Sequence, residues 1–125
     1  LAVTKCSDIE GTKIEDPHPR IIKILSSPVT KERESIGFTF GMSIIPPKER
    51  TQKHSHEGTE ESIYVASGRG FVKVGNEEEA VEPDSVILVR AGEPHEFHNT
   101  SDETMKLVWV YCPPGAEKSL LSKAV

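Results

Sequence analysis

Long apolar runs are missing from this sequence. No stretch approaches the length of about 20 residues that a helical membrane span needs, and the first residues lack the basic-then-apolar layout of a secretory signal. No membrane partner is expected, and the reading is a cytoplasmic chain, in a sequence that starts at Leu1 rather than Met. Cysteine is scarce: Cys6 and Cys112 lie near opposite ends, with neither CxxC spacing nor the density of a disulfide scaffold. Both read as free thiols acting as small hydrophobes in a reducing compartment. A basic surplus is lacking too, since 15 Lys and Arg face 20 Asp and Glu for a net charge of −5. No segment interleaves clustered cations with aromatics, so a nucleic-acid surface has no electrostatic footprint. Helical periodicity is nearly absent before the last ten residues, and there is no internal repeat or low-complexity segment.

What is there reads as one all-β domain. A chain of 125 residues fits a single domain with a sizeable core, and 35% hydrophobic with 28% charged residues suits a folded, water-facing protein. Short runs rich in β-branched and aromatic residues recur: RIIKIL, IGFTFGMSII, SIYVAS, GFVKV, SVILV, HEFHN and MKLVWVY. Turn signals separate them, and Gly75-Asn76 between FVKV and EEEAV is the best hairpin turn. Many short strands in one small domain point to a sandwich, jelly roll or barrel. Residues 1–19, with Pro17 and Pro19 around His18, read as an extended arm, and the tail from Ala116 as one short helix.

The chemistry is concentrated in KHSHEGTEE, residues 53–61, and AGEPHEFHN, residues 91–99. Read as a strand, the first places His54 and His56 on one side while Ser55 points away. The next strand, beginning near Glu61, is expected to return antiparallel to it. Glu61, Ile63 and Val65 then share the interior face, and Glu60 either precedes the strand or points to water. A buried carboxylate needs a cation and buried imidazoles need partners; a divalent metal satisfies all of them. A fourth ligand would come from His95 or His98. His95 shares its face with Phe97 and Asn99 and is preferred, while His98 and His18 read as surface imidazoles. Taken alone, a His-x-His pair near acids is more often an exposed polar loop.

The spacing argues against that loop. His54-Ser55-His56, four residues, Glu61, six residues and Gly68, followed by Gly92, two residues, His95, three residues and Asn99, resemble the two signature motifs of the cupin superfamily. The resemblance runs from about Ser35 to Tyr111. It departs at turn positions: Lys48 and Asp84 stand where the motifs have leading glycines, and Arg90 where the second has proline. A lysine at positive φ is costly, so the turn after Pro47 is expected to differ in geometry from the family pattern.

The resemblance implies a single-domain cupin-type β-barrel (double-stranded β-helix, jelly roll). Residues 1–34 would be an N-terminal arm and first strand or strands, 35–112 the barrel core and 113–125 the C-terminal tail. It also implies one divalent transition metal per chain (Fe, Mn, Ni, Co, Zn or Cu), held by His54, His56, Glu61 and His95. Three imidazoles and a carboxylate suit these metals, and disfavour a soft thiolate metal or a Ca(II) cage. On an octahedral ion this set leaves two positions open for Lewis-acid or oxygenase chemistry. The superfamily includes dioxygenases, lyases, isomerases, decarboxylases and non-enzymatic binders, so fold alone does not select a reaction.

The expected function is a metal-dependent enzyme acting on a small organic acid or enolisable carbonyl compound, dioxygenase first and lyase or isomerase next. The alternative is a non-catalytic small-molecule binding or sensor module with the same metal site. No catalytic acid or base is assigned. Ile63, Val65 and Phe97 are the expected apolar walls of the pocket, with Gln52 as its uncharged polar member, and a small chelating molecule as its occupant. Arg90 reads as a solvated turn side chain rather than a carboxylate partner. Tyr64 and Trp109 read as packing or dimer-interface residues. The arm and the apolar outward faces of a small barrel lead to the expectation of a homodimer.

Overall fold

The computed structural model describes residues 3–121. Each run picked out by β-branched and aromatic content is a strand. In chain order they are β1 (Thr12–Ile14), β2 (Arg20–Ser26), β3 (Thr39–Ile45), β4 (Glu60–Ser67), β5 (Gly70–Val74), β6 (Glu77–Val81), β7 (Val86–Val89), β8 (His95–Asn99) and β9 (Met105–Cys112). A 3-10 turn at Cys6–Asp8 precedes them, and α1 (Glu117–Leu121) follows. The strands form a large sheet in the order β1-β2-β3-β9-β4-β7 and a small one in the order β6-β5-β8. All named pairings are antiparallel.

Alternation decides what lies between the sheets. On β9, Met105, Leu107, Trp109 and Tyr111 are buried, and on β4 Glu61, Ile63 and Val65 are, while Glu60 and Tyr64 are exposed. Ile14, Ile22, Ile45, Val72 and Phe97 complete the same core, each such side chain contributing about 1.5–3 kcal/mol by leaving water. The Gly75-Asn76 hairpin forms as expected: Val74 pairs with Glu77, and Gly75 adopts φ 59°, the positive value that tight two-residue loops favour. The segment read as an arm contains β1, whose Thr12 and Ile14 pair with Ile22 and Arg20, so it extends the large sheet.

Two expectations about backbone geometry are corrected. Lys48 and Asp84 do adopt positive φ, at 64° and 77°, so the turn after Pro47 is left-handed despite its lysine. The cost is about 1–2 kcal/mol at such a position. It is offset by hydrogen bonds from Lys48 N to Ser101 O (3.3 Å) and Lys48 Nζ to Thr100 O (2.8 Å), and from Asp84 N to Val65 O (2.9 Å). The His-x-His segment is not the antiparallel neighbour of the Glu61 strand. His54 forms an isolated backbone bridge with His95, extending the small sheet, whereas Glu61 lies on β4, between β7 and β9 in the large one. Gly58, at φ 70°, lies in the turn that carries the chain from one to the other. The candidate ligand residues therefore face each other across the core.

Candidate metal centre

Three segments build the centre. The His54 and His95 backbones exchange both hydrogen bonds, N to O, at 3.1 and 2.9 Å, and Gly92 N donates to His56 O at 3.0 Å. The residues that carry the imidazoles are thus locked together by main chain. Across the core, β4 presents Glu61. One donor atom from each of His54, His56, Glu61 and His95 lies within 4.8 Å of the others. The structure brings together all four residues expected from the sequence. The imidazole centroids are 4.2 Å apart for His54 and His95, 4.9 Å for His54 and His56, and 5.6 Å for His56 and His95. Asn99 is structural: its Nδ2 donates to the carbonyls of Ile45, Pro46 and Glu103, tying β8 to the end of β3 and to the β8–β9 loop.

The electrostatics suit a cation. His54 Nδ1 donates to Gln52 O at 2.8 Å, which leaves Nε2 as the lone-pair nitrogen. Burial and the neighbouring His95 pull His54 down to about 3 and His56 to about 4, Glu117 partly opposing the second shift. Both imidazoles are neutral, the form that ligates metals. Burial pushes the Glu61 carboxyl up against the opposing contact with His95. Burial also acts to lower His95, but Glu61 and Glu93 outweigh it and leave that group raised. His95 Nδ1 donates to Glu93 O (3.0 Å), so the 3.0 Å contact between its Nε2 and Glu61 Oε1 needs a shared proton. His56 Nε2 is buried without a hydrogen-bond partner, 3.8 Å from the same carboxylate oxygen. A divalent ion fits this donor set: it would replace the shared proton and satisfy the orphaned nitrogen.

These shifts carry a stability consequence for the metal-free protein. His54 and His56 titrate near 3 and 4 when folded, against about 6.5 in an unfolded chain. The unfolded state binds more protons between those values, so this contribution is complete above about pH 6.5 and is lost as pH falls toward 4 and 3. The raised Glu61 and His95 contribute with the opposite sign, so the two imidazoles are followed individually. NMR titration of the metal-free protein is expected to show the His54 and His56 rings neutral from pH 7 down to about pH 5. A ring of either that protonates above that would contradict the neutral-imidazole assignment.

The enclosed space beside the centre is small, about 30 Å³, and is lined by Arg20, Ser43, Thr51, Ile63, Phe97, Leu107, Trp109, Tyr111 and Leu120 together with His54, Glu61 and His95. The expected walls Ile63 and Phe97 are there. Val65 is buried but does not line this space, and Gln52 lies in a second chamber of about 160 Å³ with Arg20, Lys53, His54, Ser119 and Leu120. Trp109 is an inner wall, its Nε1 donating to Ser43 Oγ at 2.9 Å, rather than an interface residue. A larger groove of about 740 Å³ between β6 and β7 reaches none of the four candidate ligands; Arg90 lines it, away from the centre.

Two residues of the site escaped sequence reasoning. Arg20, the first residue of β2, is 4% exposed and faces inward. Tyr111, the last inward residue of β9, stacks on Trp109 at 4.4 Å and tilts over His56 at 4.8 Å. Burial, Glu61 and Glu117 push its hydroxyl well up, so it stays protonated. The alternation of RIIKIL and MKLVWVY carried both signals. α1 was read without a motif, yet its Leu120 lines both chambers and its Glu117 is buried. His98 is corrected from a surface imidazole: its ring stacks on Phe71 at 4.3 Å, and its Nε2 lies 3.5 Å from the buried Glu96, which Arg50 bridges at 2.5 Å.

Residues 41–111 match the family model described as Cupin domain. A polyketide synthase, CurC, of Streptomyces cyaneus is 32% identical over 99 residues, 79% of this chain and 63% of that protein. The chain thus spans about three fifths of that relative's length. A predicted oxalate decarboxylase from Thermotoga maritima superposes with a TM-score of 0.79 at 21% identity, covering 90% of this chain and 99% of that one. The polyketide cyclase RemF of Streptomyces resistomycificus does so at 0.75 and 22% identity, covering 90% and 79%. At these identities the two structures establish the shared fold.

Proposed function

The chain belongs to the cupin domain family, and from that premise we propose that it is a metal-dependent enzyme acting on a small organic acid or enolisable carbonyl compound. The observation that carries this reading is the convergence of His54, His56, Glu61 and His95 within 4.8 Å, with one imidazole nitrogen left unpartnered. These four residues would hold one divalent transition metal, which when bound supplies Lewis-acid polarisation of a chelated oxygen. The chain's own residues do the rest. Gln52 O and Glu93 O fix the tautomers of His54 and His95. Phe97, Trp109, Ile63 and Leu120 exclude water. Tyr111, held neutral, offers a proton donor at its Oη. CurC adds support for the carbonyl class, since a polyketide is by its chemistry an enolisable polycarbonyl chain. Among the reactions that suit such a site we place dioxygenase first and lyase or isomerase next.

The test is metal analysis of protein purified without air, followed by a screen of organic acids and 1,3-dicarbonyl compounds with and without O₂. Close to one divalent ion per chain and turnover of a carboxylate or enolisable carbonyl compound are expected. A chain that retains no metal after reconstitution with Fe(II), Mn(II), Ni(II), Co(II), Cu(II) and Zn(II) and desalting would end the reading. Binding without turnover would assign the alternative, a sensor or carrier module.

We also propose a homodimer. Two rows of side chains cross the outer face of the large sheet: Phe40, Val110, Ser62 and Leu88 in register, then Met42, Val108, Tyr64 and Val86. Phe40, Tyr64, Val86 and Leu88 are exposed, an apolar patch of the kind that marks an interaction face. Light scattering at micromolar concentration should give twice the chain mass of 13.8 kDa, and a monomeric mass would refute the dimer.

A further inference from the structure

Resting on the metal reading above, we propose that Arg20 binds a substrate carboxylate, and that the substrate is a small organic acid whose second oxygen group reaches the metal. Arg20 is buried and inward, yet among the described residues its guanidinium makes a single hydrogen bond, from Nη1 to His18 O at 3.0 Å. Among the described residues no aspartate or glutamate lies within ion-pair distance of it. A guanidinium has five N–H donors in a fixed fork and cannot discard its charge. Burying one without an anion is costly, and a chain with 20 acidic residues could have supplied a partner. A bound anion removes the deficit.

The position of Arg20 selects that anion. It lines both the 30 Å³ space at the metal centre and the 160 Å³ chamber beyond it, as His54 and Leu120 do. A ligand in the outer chamber therefore meets a ligating imidazole and the guanidinium together. Gln52, Lys53 and Ser119 complete that chamber, and among the described residues no carboxylate lines it, although the chain carries a net charge of −5. A cationic mouth in an acidic protein draws anions in and leaves cations outside. The other candidate, Arg90, lines the groove between β6 and β7 and makes no contact with these chambers. The size of the chamber, about 160 Å³, limits the acid to a few heavy atoms beyond the chelating group.

Malonate and acetate serve as probes. Acetate can occupy the metal alone, whereas malonate can bridge it to Arg20. Titrated into Co(II)-loaded protein and followed by the visible absorption of the ion, malonate is expected to bind at least about tenfold more tightly than acetate. Part of that preference is malonate's own chelation of the ion. Arg20→Gln should remove the rest, weakening malonate by at least about tenfold without changing acetate or Co(II) affinity, while Arg20→Lys should lose less, having the charge without the fork. Equal preference in wild type and Arg20→Gln would overturn the assignment. A second arm uses metal-free, ¹⁵N-labelled protein, in which the Arg20 Nε–H resonance is expected to shift on adding malonate. If Co(II) fails to load, the metal reading falls, and this arm still decides the role of Arg20: a resonance that does not move rejects it.

Discussion

Replacing His54 and His56 together by alanine is expected to lower divalent-metal affinity by at least about a hundredfold. The hydrogen-bond partners of ligating histidines typically contribute about 10–100-fold to affinity. Each ligand removed should cost at least the lower end of that range, about tenfold, so two together cost at least about a hundredfold. Glu61→Ala is expected to cost at least about tenfold for the same reason, while Glu60→Ala should stay within a factor of about two, because an exposed carboxylate is worth little. The two glutamates are neighbours on β4 with opposite orientation: Glu61 is buried at 5% exposure and contacts His95 and His56, and Glu60 faces solvent. Competitive chelator titrations with one metal in one buffer separate them. A double-histidine variant within tenfold of wild type, or a damaging Glu60→Ala, would mean that the donor set is not the one assigned here.

The centre was legible from one periodicity, the two-residue alternation of a strand, and from the spacing of two motifs. Alternation placed Glu61 with Ile63 and Val65, and His95 with Phe97 and Asn99, and all six are buried. What alternation could not supply was which strands pair. The turn at Gly58 sends the histidines and Glu61 to different sheets, and a two-residue period is silent on that. Arg20 was passed over because a charged residue at the start of an apolar run reads as a strand end in water. Tyr111 was passed over because an aromatic among aromatics reads as packing, and only the approach of β9 to His56 gives it a chemical neighbour. His98 alternates outward from His95, Phe97 and Asn99, yet it is half-buried rather than a surface imidazole, because Phe71 stacks on its ring and the Arg50–Glu96 pair adjoins it.

Gly68→Ala is expected to destabilise the protein by about 2–5 kcal/mol, far more than a change to glycine at Lys48 or Asp84, where the motif pattern has glycine. Gly68 has φ 89°, and a Cβ there would stand 2.6 Å from Met105 Cα and 2.7 Å from Met105 Cβ. The left-handed backbone alone costs an alanine about 1–2 kcal/mol. Overpacking against main chain adds about 1–3 kcal/mol, since the Met105 backbone begins β9, the strand that pairs with both β3 and β4. Lys48 and Asp84 bear only the first of these costs, and their hydrogen bonds to Ser101, Thr100 and Val65 offset it. Lys48→Gly would relieve the backbone strain but give up about 0.5–1 kcal/mol to the freer unfolded chain, together with the exposed Lys48–Asp102 pair. Its net effect should lie within about 1 kcal/mol of zero. Urea unfolding of the metal-free variants, with unchanged slope, measures all of these. A Gly68→Ala protein within 1 kcal/mol of wild type would show that β9 yields to the added methyl. The steric account of why glycine stands at position 68, while lysine and aspartate fill the two leading positions 48 and 84, would then be wrong.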